Sequence, residues 1–426
     1  MTDERFVRSI GVALDELAAA RTPDYLEAAI ERASSTSQRP AWTFPERWLP
    51  MDIATTRVPT ARFPIRSLAA VALIGLLLAA ILAVYVGSQQ PPLPAPFGPA
   101  ANGSIAFAQS GDIYVGDPET GQTRLLVGGP GNDVFPEVSR DGSRILFGRE
   151  GAADVDLYVV GVDGSDLRRV TDAPLVGAQM GGWSADGTEY YQTHVVDGVQ
   201  VLDAFDVTGD APPRRLATDV ADSIAVRPPD GREIAFRTLV AGNLGIAVVS
   251  VDGTGLRYLV EPTVPATMDQ SFLNVSYTPD GRRLFYQHGD GDGNQYSPDD
   301  ACCRLWVVDA DGTDQREFVD LGRSWDGVPT VSPDGTSVAF WHQLNSGPSQ
   351  RLTVARTDGT GTPTEIGPRL ETTGQWLWAP DSSTILLYPF DVPSPRAYLV
   401  DPVGGDWTTV PWESTPGVDW QRIAVP

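Results

Sequence analysis

The chain has no lysine. All 31 of its basic residues are arginine, against 55 acidic residues, for a formal charge of −24 over 426 residues. So acidic a chain repels polyanions, which excludes nucleic acid as a natural partner. Cysteine is nearly absent too: Cys302 and Cys303 are the only two, and they are neighbours. That rules out a disulfide framework and a zinc site of the paired-CxxC kind, and it leaves two free or packed thiols. Histidine occurs three times, as His194, His288 and His342. No serine carries glycine at both −2 and +2, so the nucleophile elbow of α/β-hydrolases is missing. Phosphate-cradling glycine loops are missing as well. Neither an enzyme signature nor a cofactor is implied. A pair of glycosidase carboxylates could still hide among the many acids.

What the chain has in excess is glycine, 43 residues, and proline, 36. Both break helices, which argues against a helical bundle. One stretch departs from this composition. Residues 68–86, LAAVALIGLLLAAILAVYV, are 19 consecutive residues without charge. As a helix rising about 1.5 Å per residue they span about 28 Å, close to a bilayer core. The sequence therefore predicts a transmembrane helix over 67–88. Arg57, Arg62 and Arg66 precede it, whereas the next arginine after it is Arg124. By the positive-inside rule the N-terminus is cytoplasmic and the rest is exported from a plasma membrane crossed once. Residues 1–66 hold nine arginines and nine acids, so the whole −24 falls on the exported part.

The predicted domains follow in order. Residues 1–66 form a cytoplasmic head of two short helices, too small to bury much by themselves and suited to docking on a partner. Residues 89–101, with five prolines between 89 and 99, read as a semi-rigid spacer. Residues 102–426 repeat. The turns SRDGS, SADGT, PPDGR, TPDGR, SPDGT and APDSS place aspartates at Asp141, Asp186, Asp230, Asp280, Asp334 and Asp381, separated by 45, 44, 50, 54 and 47 residues. After each turn comes a short apolar strand such as IAF (234–236) or VAF (338–340). A third strand such as DLYVV (156–160) and an Asp-Gly hairpin follow. Asp-Gly suits tight hairpins because these need positive φ. A strand-built period in the mid-forties predicts an all-β β-propeller with one four-stranded blade per repeat. A degenerate copy opens at Asn102, and the C-terminal stretch around Trp420 reads as a first strand with nothing after it. The two together predict seven blades, closed by pairing of the C-terminal strand with the first copy. If the degenerate copy is not a blade, six remain.

These motifs resemble the repeats of TolB-like β-propellers over the whole of 102–426. The resemblance implies a binding platform more than any one chemistry. The layout of helical head, single span and exported domain resembles bacterial anti-sigma regulators. Their zinc motif is absent, since residues 1–66 contain neither His nor Cys.

The sequence thus points to a non-enzymatic module that binds an extracytoplasmic protein, peptide or glycan. The alternatives are a zinc-free anti-sigma-like regulator and a propeller hydrolase. The candidate ligand face is set by His194, His288 and His342, each eight residues after its turn aspartate. Equivalent positions elsewhere carry Gln109, Arg149, Thr238 and Pro389, so the histidines are equally readable as related repeats keeping related residues. The insertion GDGDGNQYSPDDA (289–301) begins like a calcium loop, but Gln295 and Ala301 break the ligand pattern.

Overall fold

The computed structural model describes residues 73–77 and 93–425, apart from 179–180, 266–273, 290–302, 322–323, 345–349, 371–373, 391–395 and 416. The chain divides into two units, Met1–Gln89 and Gln90–Pro426. The expected head, most of the expected span, the calcium-like loop and Cys302 lie outside the described residues. Leu73–Leu77 are helical and exposed. Among the described residues no helix is long and apolar enough to cross a membrane.

The second unit is all β. Its first sheet orders Val418–Ile423, Ala101–Gln109, Asp112–Gly116 and Thr123–Val127. The C-terminal strand pairs antiparallel with the first, Trp420 opposite Ile105 and Val418 opposite Phe107. The second sheet runs Asn132–Val138, Arg144–Glu150, Asp154–Gly161 and Arg168–Arg169, and the third Gly181–Trp183, Glu189–Val196, Val199–Asp206 and Arg214–Thr218. The fourth runs Val220–Val226, Glu233–Val240, Asn243–Ser250 and Arg257–Pro265. The fifth runs Ser276–Tyr277, Arg283–Gly289, Cys303–Asp309 and Arg316–Glu317. The sixth runs Ser324–Val331, Ser337–Leu344, Gln350–Arg356 and Thr364–Leu370, and the seventh Gly374–Trp378, Ile385–Pro389, Tyr398–Val400 and Trp407–Thr409. By hydrogen bonding these groups form five sheets: Leu175–Val176 pairs with both the second and the third group and joins them into nine strands, and a parallel pairing of Cys303 with Trp325 joins the fifth and sixth into eight.

The second strand of each sheet carries consecutive apolar residues, as at 145–147 and 338–341, rather than alternating ones, and the packing gives the reason. Successive side chains of a strand point to opposite faces, and here both faces are covered. Ile234 and Phe236 enter the cluster between the third and fourth sheets, while Ala235 enters the one between the fourth and fifth. Phe285 packs with Val338 and Phe340 between the fifth and sixth, and Ala339 and Trp341 pack with Trp376 and Trp378 between the sixth and seventh. The series closes on itself: Leu386 and Tyr388 of the seventh sheet share a cluster with Ile105, Phe107 and Trp420 of the first. Each sheet is therefore a layer whose two apolar faces are covered by its neighbours.

The repeat turns interlock around the same ring. Every turn aspartate accepts a hydrogen bond from the backbone N–H two residues on, as Asp141 does from Ser143 (3.0 Å) and Asp334 from Thr336 (3.0 Å). The glycine after each aspartate adopts positive φ, for example +71° at Gly142 and +67° at Gly281. It also lies against the preceding sheet. A Cβ on Gly142 would fall 1.9 Å from the carbonyl oxygen of Arg422, and one on Gly281 1.9 Å from that of Pro228. In the seventh sheet Ser382 takes the glycine position at φ 67°, and its Oγ accepts from Asp334 N–H (3.0 Å). Asp381 N–H in turn donates to Asn102 Oδ1 of the first sheet (3.1 Å).

The described part of the proline-rich segment rests on the ring. Arg422 Nη2 donates to the carbonyls of Ala95 (3.1 Å) and Gly98 (2.6 Å). Phe97 packs against the cluster between the third and fourth sheets. The segment carries apolar surface of its own, and that surface docks on the ring rather than staying in water.

Gly281→Ala combines a left-handed backbone with a clash against fixed backbone, so it should destabilise the domain by about 2–4 kcal/mol. Gly198 also has positive φ (+81°) but faces open space, and Gly198→Ala should cost only about 1 kcal/mol. Chemical denaturation of both variants checks this; equal losses would show that the inter-sheet contact contributes nothing.

Candidate functional site

Each histidine sits sixth in the second strand of its sheet: His194 in the third, His288 in the fifth and His342 in the sixth. They share a height at the end of the sheets opposite the repeat turns, but none touches another. Each is built into its own sheet.

His342 Nδ1 lies 2.6 Å from Asp326 Oδ1, and the two are cross-strand partners. Asp326 is 1% exposed. His194 Nε2 lies 2.9 Å from Asp203 Oδ2 on the adjacent third strand. Asp203 also accepts from Arg215 Nε, and from its Nη2 at 3.3 Å. Burial works against ionisation of Asp203, but hydrogen bonds from His194 and Arg215 outweigh it and hold the carboxyl below its usual range. The ring of His288 lies 4.6 Å from that of Trp306, at 49°.

The second sheet has an arginine where these three have histidine. Arg149 grips Asp133 in a bidentate pair, Nε to Oδ1 at 2.6 Å and Nη2 to Oδ2 at 2.8 Å, with its guanidinium 4.4 Å from the ring of Tyr158. That hydrogen bonding holds Arg149 above its ordinary value. Asp133 is 1% exposed. In the fourth sheet Arg237 Nη1 lies 2.9 Å from both oxygens of Asp222. Burial raises the Asp222 carboxyl even against that arginine.

These acids were not among the sequence candidates, although a signal for them exists. Asp133, Asp222 and Asp326 each lie eight residues before their turn aspartate, in alternate repeats. Two of them open the motif D-x-x-P-x-V-S-x-D-G, at Asp133–Gly142 and Asp326–Gly335. The motif has a backbone cause. After each of these acids the first strand shifts register, and a residue takes positive φ: Phe135 (51°), Ser223 (26°) and Val328 (57°). Such a bulge re-aims the side chains beside it, and proline is tolerated there.

A second acidic pair lies nearer the turns. Burial, and then the charge of Asp419, push Glu137 up to about 7, against a hydrogen bond from Tyr190 and the charge of Arg140. Burial lifts Asp419 to about 6, although its oxygens accept from the N–H groups of Val138 (2.7 Å) and Trp420 (2.8 Å). Among the described residues no group of three or more His, Cys, Asp or Glu could hold a metal ion.

No protein-family model matches the chain. An uncharacterized protein of Agrobacterium fabrum is 27% identical over 161 residues, 37% of this chain and 53% of that protein, so the chain spans about half the length of this curated relative. Three solved structures resemble it. The β-propeller domain of the trilobed protease of Pyrococcus furiosus matches with a TM-score of 0.51 at 11% identity, over 75% of this chain and 98% of that one. A prolyl endopeptidase matches with a TM-score of 0.54 at 13% identity, over 78% of this chain and 51% of its own. TolB from Acinetobacter baumannii matches at 0.49 and 12% identity, over 74% and 82%. At such identities the likeness shows the fold alone. The fold is a β-propeller.

Glu137 and Asp419 both hold protons more readily in the folded chain than in the unfolded one. Between the unfolded values near 4 and the folded values of about 6 and 7, the folded chain carries extra protons. Stability from this pair is therefore greatest at the acid end and falls as pH rises through that window. Glu137→Gln should remove about half of the effect, leaving the variant about 1–3 kcal/mol more stable than the parent at pH 8 and nearly equal at pH 5. Denaturant titrations at the two pH values measure this; an unchanged pH slope would refute it.

Proposed function

We propose that the chain is a membrane-tethered propeller of seven blades that binds an extracytoplasmic protein, peptide or glycan without transforming it. Seven groups of four strands, joined by hydrogen bonds into five sheets, and the apolar cluster joining the last group to the first support the blade count. The uncharged run at 68–86 and the arginines before it support a single-pass tether with the propeller outside. The ligand face is the end bearing His194, His288 and His342.

One observation carries the binding reading. Buried acids at that end are each hydrogen-bonded to a basic side chain: Asp133 to Arg149, Asp326 to His342, and Asp203 to His194 and Arg215. A general base or nucleophile needs a group free to change its proton. A pre-set polar rim instead presents fixed donors and acceptors, which suits recognition. The sequence-level likeness to anti-sigma regulators rests on residues 1–66 and the span, outside the described residues. It adds a cytoplasmic partner for the head as a further element of the same reading.

Full-length protein in detergent should capture ligand from arrays of peptides and glycans. Asp326→Asn and His342→Gln should each weaken that capture by about tenfold, as expected when one member of a buried hydrogen-bonded pair is lost. Turnover of a screened peptide, ester or glycoside by the same preparation would overturn the non-enzymatic reading. A C-terminal tag shielded from protease in intact cells would overturn the topology.

A further inference from the structure

The other end of the ring already holds a peptide, and it belongs to the chain itself. The segment 95–98, Ala-Pro-Phe-Gly, bends across the repeat-turn end. Arg422, beside the turn end of the first sheet, caps two of its carbonyls, Ala95 at 3.1 Å and Gly98 at 2.6 Å. Arg140, the residue before the turn aspartate of the second sheet, places its guanidinium 4.4 Å from the centre of the Phe97 ring. Phe97 also packs against the apolar cluster that includes Tyr191, Val226, Ile234 and Phe236 of the third and fourth sheets. Ala100 N–H then donates to the Pro380 carbonyl of the seventh sheet (2.9 Å).

These contacts have the form of a recognition site. Two carbonyls three residues apart are read by one arginine, and an aromatic side chain is read by a cation above it and an apolar floor. Gly98 has φ of +80°, a conformation that favours glycine after the aromatic residue. Arg422 Nε is buried with no hydrogen-bond partner among the described residues, so the site retains a donor that this segment does not use. Asp419 acts electrostatically on both arginines, and Glu137 on Arg140.

We propose that the repeat-turn end is a binding site for a bent, proline-rich peptide carrying a Phe-Gly step, and that the chain's own 94–98 segment occupies it in cis. A partner peptide of that chemistry would have to displace the segment, so the linker acts as a competitive internal ligand. This site is distinct from the histidine-bearing end and does not depend on the reading given to that face.

The probe is a fluorescently labelled peptide, Pro-Leu-Pro-Ala-Pro-Phe-Gly-Pro, which copies residues 92–99. It is titrated by polarisation against full-length protein, the Phe97→Ala variant, and a Pro94→Gly/Pro96→Gly/Phe97→Ala variant that unseats the segment more fully. Expected is at least tenfold tighter binding by an unseated variant than by the parent. That gain should disappear when Arg422→Ala is added, and when Phe in the probe is replaced by Ala. A thermal melt on each variant shows that the ring is intact. No binding to either unseated variant, or equal binding with and without Arg422, would overturn the proposal.

Discussion

The structure depends on one constraint: each four-stranded sheet has two apolar faces and must cover both. A sheet facing water on one side would show alternating strands. Here the second strands carry consecutive apolar residues, with Ile234 and Phe236 entering one cluster and Ala235 the next. A row of such layers always ends with one face bare on the first and one on the last. Bringing Leu386 and Tyr388 of the seventh sheet onto Ile105 and Phe107 of the first removes both bare faces at once. Pairing Val418–Ile423 with Ala101–Gln109 joins the first and last strands of the ring in that same layer.

Closure then gives the ring two chemically different ends. At one end the chain turns through Asp-Gly, and the turns lean on their neighbours through contacts as close as that of Gly142 with Arg422. Backbone approaches backbone there, and aspartate serves as a hydrogen-bond acceptor for the turn. At the other end the first strands bulge, and acids from those strands meet Arg149, Arg237 or His342 from the second. The large negative charge is thus of two kinds. Turn aspartates such as Asp186 and Asp334 are exposed, whereas Asp133, Asp222 and Asp326 bond to Arg149, Arg237 and His342 within their sheets.

The repeat was legible because its cause is local. A tight hairpin needs positive φ and an acceptor for its own N–H groups, and Asp-Gly supplies both wherever the hairpin occurs. Placing the histidines at one height followed from counting eight residues on from each turn. Their partners were harder to read. Asp326 and Asp133 have a visible signature in D-x-x-P-x-V-S-x-D-G, whereas Asp222 shares only the offset of eight. Asp203 has no motif at all, and reaches His194 because adjacent strands put them diagonally opposite.

By itself, the sequence determined the class of fold, the strand period, the turn chemistry and the uncharged run at 68–86, since each is written in neighbouring residues or a fixed spacing. It also marked the C-terminal strand as lacking a partner. Only the tertiary structure decided which side chains neutralise one another and that residues 95–98 dock on Arg422 and Arg140. Those contacts join residues up to 327 positions apart. Composition called that segment a spacer, because proline and glycine describe how a backbone bends and are silent about the surface on which it comes to rest.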